Sequence, residues 1–322
     1  MTKTRRIGLL TTGGDAPGMN PAIRAVVRRA LAFGWEVVGI ERGFQGLYEK
    51  DFREMGHGSV SGIINLGGTV LKTIRCPGFR KADFRRACYR NLEQRGIGSL
   101  VVIGGDGSLA ASQTLVAEWK HPLAFIPASI DNDISGTTET IGFDTAVNTA
   151  LEAIDRIRDT ATSHERIFLV EVMGREKGFL ALEVGLAAGA EAILVPEVPF
   201  DLEAIRELLL ADRAKGKRSM IMVVAEGAVE VAQLAPRIAE FYPGEVRYSV
   251  LGYIQRGGAP SARSRCLALR FGARAVEALA EGRQAVCVGL EKEKVVVVDL
   301  KKARKRLKLD RAAYRLAHVL SA

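Results

Sequence analysis

Two aspartates, Asp131 and Asp133, lie two residues apart just after a short apolar run. Transfer of a phosphoryl group to an alcohol needs one carboxylate to accept the hydroxyl proton and usually a second to orient metal or water. This pair can meet that need. Two aspartates in a loop are also common turn formers, so the pattern indicates such chemistry only if further site residues accompany it.

Two glycine-rich segments could bind the phosphate groups. Residues 11–20 (TTGGDAPGMN) and 104–108 (GGDGS) each connect an apolar run to the start of a predicted helix. Glycine lets backbone amides approach a phosphate closely, and a helix N-terminus adds unpaired N–H groups. Asp106, between glycines, can hold a hard cation such as Mg²⁺. Each segment alone is also consistent with a tight turn or a helix cap, but two of them favour a nucleotide site.

Four arginines flank apolar runs or glycine-rich turns, namely Arg75, Arg166, Arg175 and Arg256. The planar guanidinium group binds phosphate oxygens in pairs. Each arginine by itself is more typical of a surface charge. Their shared position beside strands and turns favours contacts with a transferring phosphoryl group or a substrate phosphate.

Short apolar runs alternate with amphipathic stretches, which indicates an α/β protein with a mostly parallel sheet covered on both faces. The predicted strands are residues 7–10, 36–40, 100–103, 123–126, 167–172, 193–195, 220–225, 248–251 and 295–298. One predicted helix has Asn20 as its N-cap, Pro21 at its first position and its end near Gly34. Another spans residues 146–160. Ligands collect at the carboxyl ends of parallel strands, where the three polar segments stand.

The length of 322 residues favours two domains, and no Ser-, Pro- or Gly-rich linker separates them. The pattern alone places a boundary only loosely, near residues 136–142. No apolar run approaches the ~18 residues that cross a bilayer, and the N-terminal apolar stretch is too brief for a signal peptide. We therefore expect a cytoplasmic protein without a membrane partner.

A net charge of +9 favours anionic partners. Only 6% of the residues are aromatic and no recognition motif for nucleic acid appears, so small phosphorylated ligands fit better than nucleic acid. The cysteines lie far apart without a CxxC pair, which indicates neither a disulfide framework nor a zinc site. They are Cys76, Cys88, Cys266 and Cys287.

Eight motifs follow one another along the chain: TTGGDAPGMN, INLGGT, VVIGGDGS, SIDNDISGT, TIGFDTA, VEVMGR, VPE and LGYIQRGG. In their order and spacing, and over essentially its whole length, the chain resembles the ATP-dependent 6-phosphofructokinases of bacterial type. The resemblance implies two Rossmann-like three-layer α/β domains with mostly parallel sheets, joined by several chain crossings. Residues 1–141 plus 256–304 would form the larger, ATP-binding domain. Residues 142–255 plus 305–322 would form the smaller, sugar-phosphate-binding domain.

The implied reaction moves the γ-phosphoryl group of MgATP to the 1-hydroxyl of fructose 6-phosphate, in glycolysis and in a homotetramer whose subunits share active sites. Asp131 would be the general base with Ser129 and Asp133 beside it, while Arg75 and Arg175 would stabilise the transferring group. The implied contacts to ATP or its Mg²⁺ are Gly14, Arg75, Arg80, Gly105, Asp106, Gly107 and Ser108, with Asp106 as the metal ligand. The implied sugar-phosphate contacts are Ser129, Asp131, Arg166, Met173, Gly174, Arg175, Glu226, Arg247, Tyr253 and Arg256. Arg166, Arg247 and Arg256 would bind the 6-phosphate, two of them from a neighbouring subunit.

Several positions depart from the family pattern near its ligands. Tyr253 replaces a histidine that helps bind the sugar phosphate, Phe179 replaces an aspartate, and Ser129 replaces a threonine but keeps the hydroxyl. Diphosphate-using relatives carry aspartate where Gly107 stands and lysine where Ala128 stands. Gly107 therefore favours ATP as donor, while Ala128 matches neither the usual glycine nor lysine.

A second set of positions matches the site where family members bind a nucleotide or phosphoenolpyruvate effector. These positions are Arg24, Arg28, His57, Arg158, Glu191, Lys215 and Lys217. His57 replaces an arginine. Histidine is largely neutral at pH 7 and lacks the bidentate fork, so effector binding is expected to be weaker or pH dependent.

Three alternatives to an active 6-phosphofructokinase remain open at this point. Tyr253 and Phe179 could mark a catalytically weakened paralogue that binds ligands or assembles with an active subunit. Tyr253 could also indicate a kinase for another sugar phosphate. Nucleic-acid binding through the net charge would predict affinity that falls steeply with salt.

Overall fold

The computed structural model describes residues 5–304 and 307–321. The chain divides into two compact units and passes between them after Thr145, Gln255 and Leu307. The larger unit contains the described residues up to Thr145 and those from 256 to 307. The smaller unit contains residues 146–255 and the described residues from 308 onwards.

The described part of the chain contains twelve strands and ten α-helices. The strands are β1 Arg6–Thr12, β2 Glu36–Ile40, β3 Phe52–Met55, β4 Ser99–Gly104, β5 Leu123–Ser129, β6 Ile141–Gly142, β7 Ile167–Val172, β8 Ala192–Leu194, β9 Met220–Ala225, β10 Val246–Val250, β11 Ala285–Glu291 and β12 Lys294–Asp299. The helices are α1 Met19–Ala32, α2 Gly43–Glu49, α3 Ala82–Gln94, α4 Asp106–Trp119, α5 Phe143–Ser163, α6 Phe179–Ala187, α7 Leu202–Ala214, α8 Val231–Ala239, α9 Ala262–Ala280 and α10 Arg311–Ser321.

Each unit is built on its own sheet. Within the described residues, the larger unit has an eight-stranded sheet of order β12-β11-β5-β4-β1-β2-β3, with β6 paired to β5. Its inner pairs are parallel, whereas β2 with β3 and β11 with β12 are antiparallel. The smaller unit has a parallel four-stranded sheet of order β10-β7-β9-β8. The predicted α/β class with mostly parallel sheets is confirmed.

The sheet interiors account for the continuous apolar runs of the sequence. All residues of β4 and of β9 are buried, as expected for parallel strands covered on both faces. In the larger unit, Leu100, Val102 and Phe125 belong to one apolar cluster. In the smaller unit, Leu169 and Met222 belong to another. These rigid strands hold the polar segments that follow them.

Three strands, β3, β6 and β11, were not predicted from the sequence. β3 is a four-residue edge strand with charged side chains, and β6 has only two residues. β11 contains Gly289, a residue disfavoured in strands. A Cβ at Gly289 would lie 1.9 Å from the Gly136 carbonyl oxygen, so glycine permits a close backbone approach there.

The prediction that Asn20 caps α1 is wrong. The N-cap is Gly18, at a φ of 113° that only glycine adopts readily. Asn20 lies buried inside the helix, where its amide donates to the Leu66 and Gly67 carbonyls and accepts from the Val70 amide. This asparagine therefore anchors residues 66–70 against the first glycine-rich segment. The predicted end near Gly34 agrees with the last helical residue, Ala32.

Candidate functional site

The two glycine-rich turns of the larger unit pack directly against each other. The hydroxyl of Ser108 donates to the Thr12 carbonyl at 2.9 Å. A Cβ at Gly104 would lie 2.5 Å from both the Ser108 Oγ and the Thr12 carbonyl oxygen. A Cβ at Gly13, whose φ is +90°, would lie 2.9 Å from the same Oγ. There is thus no room for a side chain at Gly13 or Gly104, and the turns consist of closely packed backbone at these positions.

The start of α4 offers an exposed helix N-terminus beside these turns. Gly105 is the N-cap and Asp106 lies in the first turn. The first amides of a helix have no intrahelical partner and carry the positive end of its dipole. Gly107 is exposed, and a Cβ there would meet nothing within 4 Å. The geometry suits an anionic group near the amides and a cation near the Asp106 carboxylate.

The Asp131 loop is held by its own side chains. Asp131 is only 4% exposed, and its amide donates to the Ser129 hydroxyl at 3.1 Å. Asn132, at a φ of +51°, donates to the Thr138 carbonyl at 3.2 Å and accepts from the Thr140 amide at 2.9 Å. The Thr140 hydroxyl donates to the Ser129 carbonyl at 2.5 Å. These contacts close the loop and fix a buried carboxylate after β5.

This loop begins next to the second glycine turn. β4 pairs with β5 in parallel, with Gly104 opposite Pro127. A Cβ at Gly105 would lie 3.7 Å from the Ser129 Oγ. The structure therefore brings the start of the Asp131 loop and the second glycine turn together at the carboxyl ends of neighbouring strands.

Two other segments that carry arginines contact the first glycine turn. The Thr73 hydroxyl donates to the Gly13 carbonyl at 2.8 Å, which ties the segment carrying Arg75 to that turn. The side chain of Arg256 lies against Gly14, since a Cβ there would be 3.1 Å from its Nη1. Arg75 itself is exposed, as is Arg80.

In the smaller unit, a carboxylate holds the turn after β7. The Glu226 Oε1 accepts from the amides of Gly174, at 3.1 Å, and Arg175, at 2.6 Å. Gly174 has a φ of +139° and Arg175 one of +54°. The Met173 amide donates to the side chain of Gln255, which is fully buried. The turn is thereby fixed while the Arg175 side chain remains exposed.

Gln255 was not singled out from the sequence. It lies in the LGYIQRGG motif, but its role as an acceptor for Met173 depends on a contact 82 residues away in the chain. The side-chain Nε2 of Gln255 donates to the Gly252 carbonyl at 3.0 Å. Phe179 is half-buried at the start of α6, where the preceding Gly178 amide donates to the Glu197 carboxylate.

Arg166 and Arg247 share a carboxylate that sequence reasoning also missed. The two oxygens of Glu245 accept from the Arg166 Nε and the Arg247 Nη2. The pKa of Glu245 lies below its usual range, mainly because Arg166 donates a hydrogen bond to its carboxylate. The sequence did offer a signal for this contact, because Glu245 stands only two residues before Arg247. Tyr253 is 78% exposed in the 3-10 helix after β10.

The predicted effector residues of the smaller unit already have partners within the chain. Lys217 pairs with Asp212 at 3.0 Å and Lys215 with the same carboxylate at 3.4 Å. Asp212 is 1% exposed and was not singled out from the sequence. Glu191 is buried, which raises the pKa of its carboxyl above the usual range, and it accepts from the Ile221 amide. Arg158 donates to the Ala188 carbonyl.

The corresponding residues of the larger unit lie on α1 and before a 3-10 helix. The Arg24 Nη1 donates to the Val60 carbonyl at 2.6 Å, which ties α1 to the 3-10 helix Gly58–Val60. His57 immediately precedes this helix and is exposed. Arg28 is exposed on α1.

The protein groups of the described residues do not by themselves enclose a metal ion. Among residues 5–304 and 307–321, no three His, Cys, Asp or Glu side chains converge on a metal position. Mg²⁺ is commonly bound by one or two carboxylates together with substrate phosphates. Asp106 beside the glycine turns fits that mode. No helix in the described part of the chain is long and apolar enough to cross a membrane.

Comparison with known proteins gives consistent matches. A family model described as Phosphofructokinase matches residues 6–279. ATP-dependent 6-phosphofructokinase 1 of Thermus thermophilus is 53% identical over 320 residues, covering 98% of this chain and 99% of that protein. The ATP-dependent 6-phosphofructokinase of Lysinibacillus sphaericus is 50% identical over 318 residues, covering 98% and 99%. A crystal structure of Pichia pastoris phosphofructokinase in the T-state is 34% identical with a TM-score of 0.90, covering 94% of this chain and 36% of that one.

Proposed function

Because the chain belongs to the phosphofructokinase family, we propose that it transfers the γ-phosphoryl group of MgATP to the 1-hydroxyl of fructose 6-phosphate. The products are ADP and fructose 1,6-bisphosphate. One observation carries the proposal: a carboxylate only 4% exposed, Asp131, follows a strand whose neighbour ends in the glycine turn at Gly105. The names of the near relatives support ATP as donor and fructose 6-phosphate as acceptor.

The larger unit is proposed to bind ATP. Backbone amides of the two glycine turns and of the α4 N-terminus would hold the phosphates, and Asp106 would hold Mg²⁺. When bound, the cation neutralises charge on the phosphate oxygens. The proposed ATP contacts are Gly14, Arg75, Arg80, Gly105, Asp106, Gly107 and Ser108.

Asp131 is proposed to act as the general base. It accepts the proton of the 1-hydroxyl as the hydroxyl oxygen forms its bond to the γ-phosphorus, and the electron pair of the broken P–O bond stays on ADP. Arg75 and Arg175 would stabilise the charge on the transferring group. Ser129 and Asp133 would keep the loop and its surroundings in position.

The smaller unit is proposed to supply most of the sugar-phosphate contacts. Met173, Gly174, Glu226 and Tyr253 would hold the sugar. Glu226 also fixes the turn that carries Arg175. The 6-phosphate would be bound by Arg166, Arg247 and Arg256, two of them from a neighbouring subunit.

A homotetramer is proposed as the working assembly. β10 is an edge strand, and apolar or aromatic side chains on it and just beyond it are exposed. They are Tyr248 at 48%, Val250 at 55%, Tyr253 at 78% and Ile254 at 57%. An exposed edge with apolar side chains is a surface that proteins usually cover. We also propose a cytoplasmic location, where MgATP and sugar phosphates are formed and used.

Initial rates with a panel of donors and acceptors test the function. Purified protein is assayed with MgATP or Mg-diphosphate against fructose 6-phosphate and other hexose and pentose phosphates. The proposal expects the highest kcat/KM with MgATP and fructose 6-phosphate. A higher value with another acceptor would favour the alternative that Tyr253 changes acceptor choice, and no turnover with any acceptor would favour a weakened paralogue.

Asp106→Asn should raise the Mg²⁺ concentration needed for half-maximal activity by about tenfold, because an amide oxygen carries no net charge to attract the cation. Chelation of the metal should abolish activity in the parent enzyme. The measurement is the initial rate against free Mg²⁺ at fixed ATP. Asp155→Asn, an exposed change on α5, is the control. An unchanged Mg²⁺ dependence would remove Asp106 from the metal site.

His57→Arg should strengthen the response to ADP or phosphoenolpyruvate by about tenfold, since arginine adds charge-assisted bidentate hydrogen bonds to phosphate. The parent protein should respond weakly, because Lys215 and Lys217 already share Asp212. The measurement is the effector concentration that gives the half-maximal change in rate. His121→Arg is the control. Strong effector control in the parent protein at every pH would contradict this prediction.

A further inference from the structure

A buried carboxylate outside the proposed site, Glu139, lies on the same loop as Asp131. It is 8% exposed, and its Oε2 accepts from both the Nε and the Nη2 of Arg263 at 2.6 Å. Its Oε1 is buried without a hydrogen-bond partner in the described part of the chain. Burial raises the pKa of Glu139, while Arg263 opposes that rise and the Asp144 and Glu293 carboxylates add to it. If the cation that pairs with a buried carboxylate is removed, the unpaired negative charge destabilises the folded protein.

Arg263 lies in the first turn of α9, and this end of the helix is fixed to the chain segment that follows Glu139. The Ser261 hydroxyl caps the helix and donates to the Asp144 carboxylate. The Ser261 amide donates to the Thr145 hydroxyl at 3.1 Å, which donates to the Ser264 hydroxyl at 2.8 Å. The ion pair thus joins the loop to a helix end that is itself held in place.

Thr138 and Thr140, on either side of Glu139, both bond to the side chain of Asn132, which follows Asp131. The Asn132 side chain donates to the Thr138 carbonyl and accepts from the Thr140 amide. Thr138 and Thr140 therefore link Glu139 to the residue that follows Asp131.

The opposite side of the loop is anchored to β11 by hydrogen bonds. The Thr138 amide donates to the Leu290 carbonyl at 2.9 Å, and the Leu290 amide donates to the Thr137 hydroxyl at 3.0 Å. That hydroxyl also donates to the Glu139 carbonyl at 2.6 Å. These bonds hold the backbone, whereas the side chain of Glu139 is held by Arg263.

We propose that the Glu139–Arg263 ion pair is a positioning device for Asp131: it fixes residues 138–140, which hold Asn132 and so set the carboxylate that accepts the hydroxyl proton. The inference rests on the proposed function. Glu139 is buried, whereas the Arg263 side chain is 48% exposed, so loss of Arg263 leaves a buried charge unpaired while loss of Glu139 leaves a charge in contact with water. Removal of Arg263 alone should therefore be the more damaging change, and removal of both charges should be better tolerated.

Three variants test the positioning role. Arg263→Met should lower kcat 10- to 100-fold and leave the KM for ATP within about twofold, because misplacement of a catalytic group by about 1 Å can cost that much. Glu139→Gln should lower kcat less, since it keeps the shape. The double variant Glu139→Leu/Arg263→Leu should recover most of the kcat lost in Arg263→Met. Arg270→Met, on the exposed side of α9, is the control.

The pH profile separates positioning from general stabilisation. Without Arg263 the pKa of Glu139 rises further, so the carboxyl is neutral and tolerated at low pH, and charged and unpaired as pH rises. The kcat of Arg263→Met relative to the parent should therefore fall as pH rises, while that ratio stays flat in the double variant. Melting temperatures are measured in parallel.

Wild-type kcat at every pH in folded Arg263→Met, with only a lower Tm, would overturn the proposal. If Arg263→Met does not fold, wild-type kcat in Glu139→Gln together with a double variant that does not regain activity would overturn it. Failure of the proposed function is distinguishable, because then the parent protein itself would not phosphorylate fructose 6-phosphate with MgATP.

Discussion

Asp131→Asn should lower kcat for fructose 6-phosphate by about 10³-fold, because the amide cannot accept the hydroxyl proton and general-base catalysis contributes 10²–10⁴-fold. The side chains have nearly the same shape, and the Asp131 amide keeps its hydrogen bond to Ser129. The KM values for ATP and sugar phosphate should therefore change by less than about threefold. Steady-state rates at saturating MgATP give the comparison.

The control for this change is Asp155→Asn, which removes one exposed carboxylate from α5 and should leave kcat unchanged. Circular dichroism and Tm of both variants show whether the fold persists. A folded Asp131→Asn enzyme with more than about a third of the parent kcat would remove Asp131 from the role of base.

Gly107→Asp should lower kcat/KM for MgATP by about 10²-fold or more, while the protein folds normally. A Cβ at Gly107 meets nothing within 4 Å, so the side chain fits without strain. The added carboxylate would stand in the first turn of α4, where the nucleotide phosphates are proposed to bind. Like charges placed together in a binding site cost several kcal/mol, and each 1.4 kcal/mol is tenfold.

Gly98→Asp is a matched control at the other end of β4. Gly98 precedes β4, is exposed, and also has open space around its Cβ position. The charge change is identical, but it stands at the opposite end of the strand from the glycine turn. Equal loss of ATP activity in both variants would contradict the assignment of the α4 N-terminus to the nucleotide phosphates, as would no loss in Gly107→Asp.

Much of the fold could be predicted because parallel strands buried on both faces leave continuous apolar runs. β4 and β9 are such strands, and both were predicted within two residues of their bounds. Family membership, predicted from the motifs, is confirmed by the match over residues 6–279. β3 could not be predicted in this way, because a short edge strand with charged side chains has no apolar run.

The candidate site, like the fold, could be predicted only in part. Segments such as residues 104–108 stand directly after apolar runs, so their position at the sheet edge follows from the sequence alone. The side chains that hold these segments cannot be found by local pattern. Glu139 meets Arg263 across 124 residues, and Met173 meets Gln255 across 82. Such contacts depend on the folded arrangement, so Glu139 and Gln255 were missed.

The most direct test of the account is phosphorus NMR of purified protein incubated with MgATP and fructose 6-phosphate. With Asp131 as the base, we expect one new phosphate ester on carbon 1 for each ADP formed, and no such product from the Asp131→Asn variant on the same timescale. ADP accompanied by inorganic phosphate without a new sugar ester, or a sugar bisphosphate formed only when diphosphate replaces ATP, would contradict it.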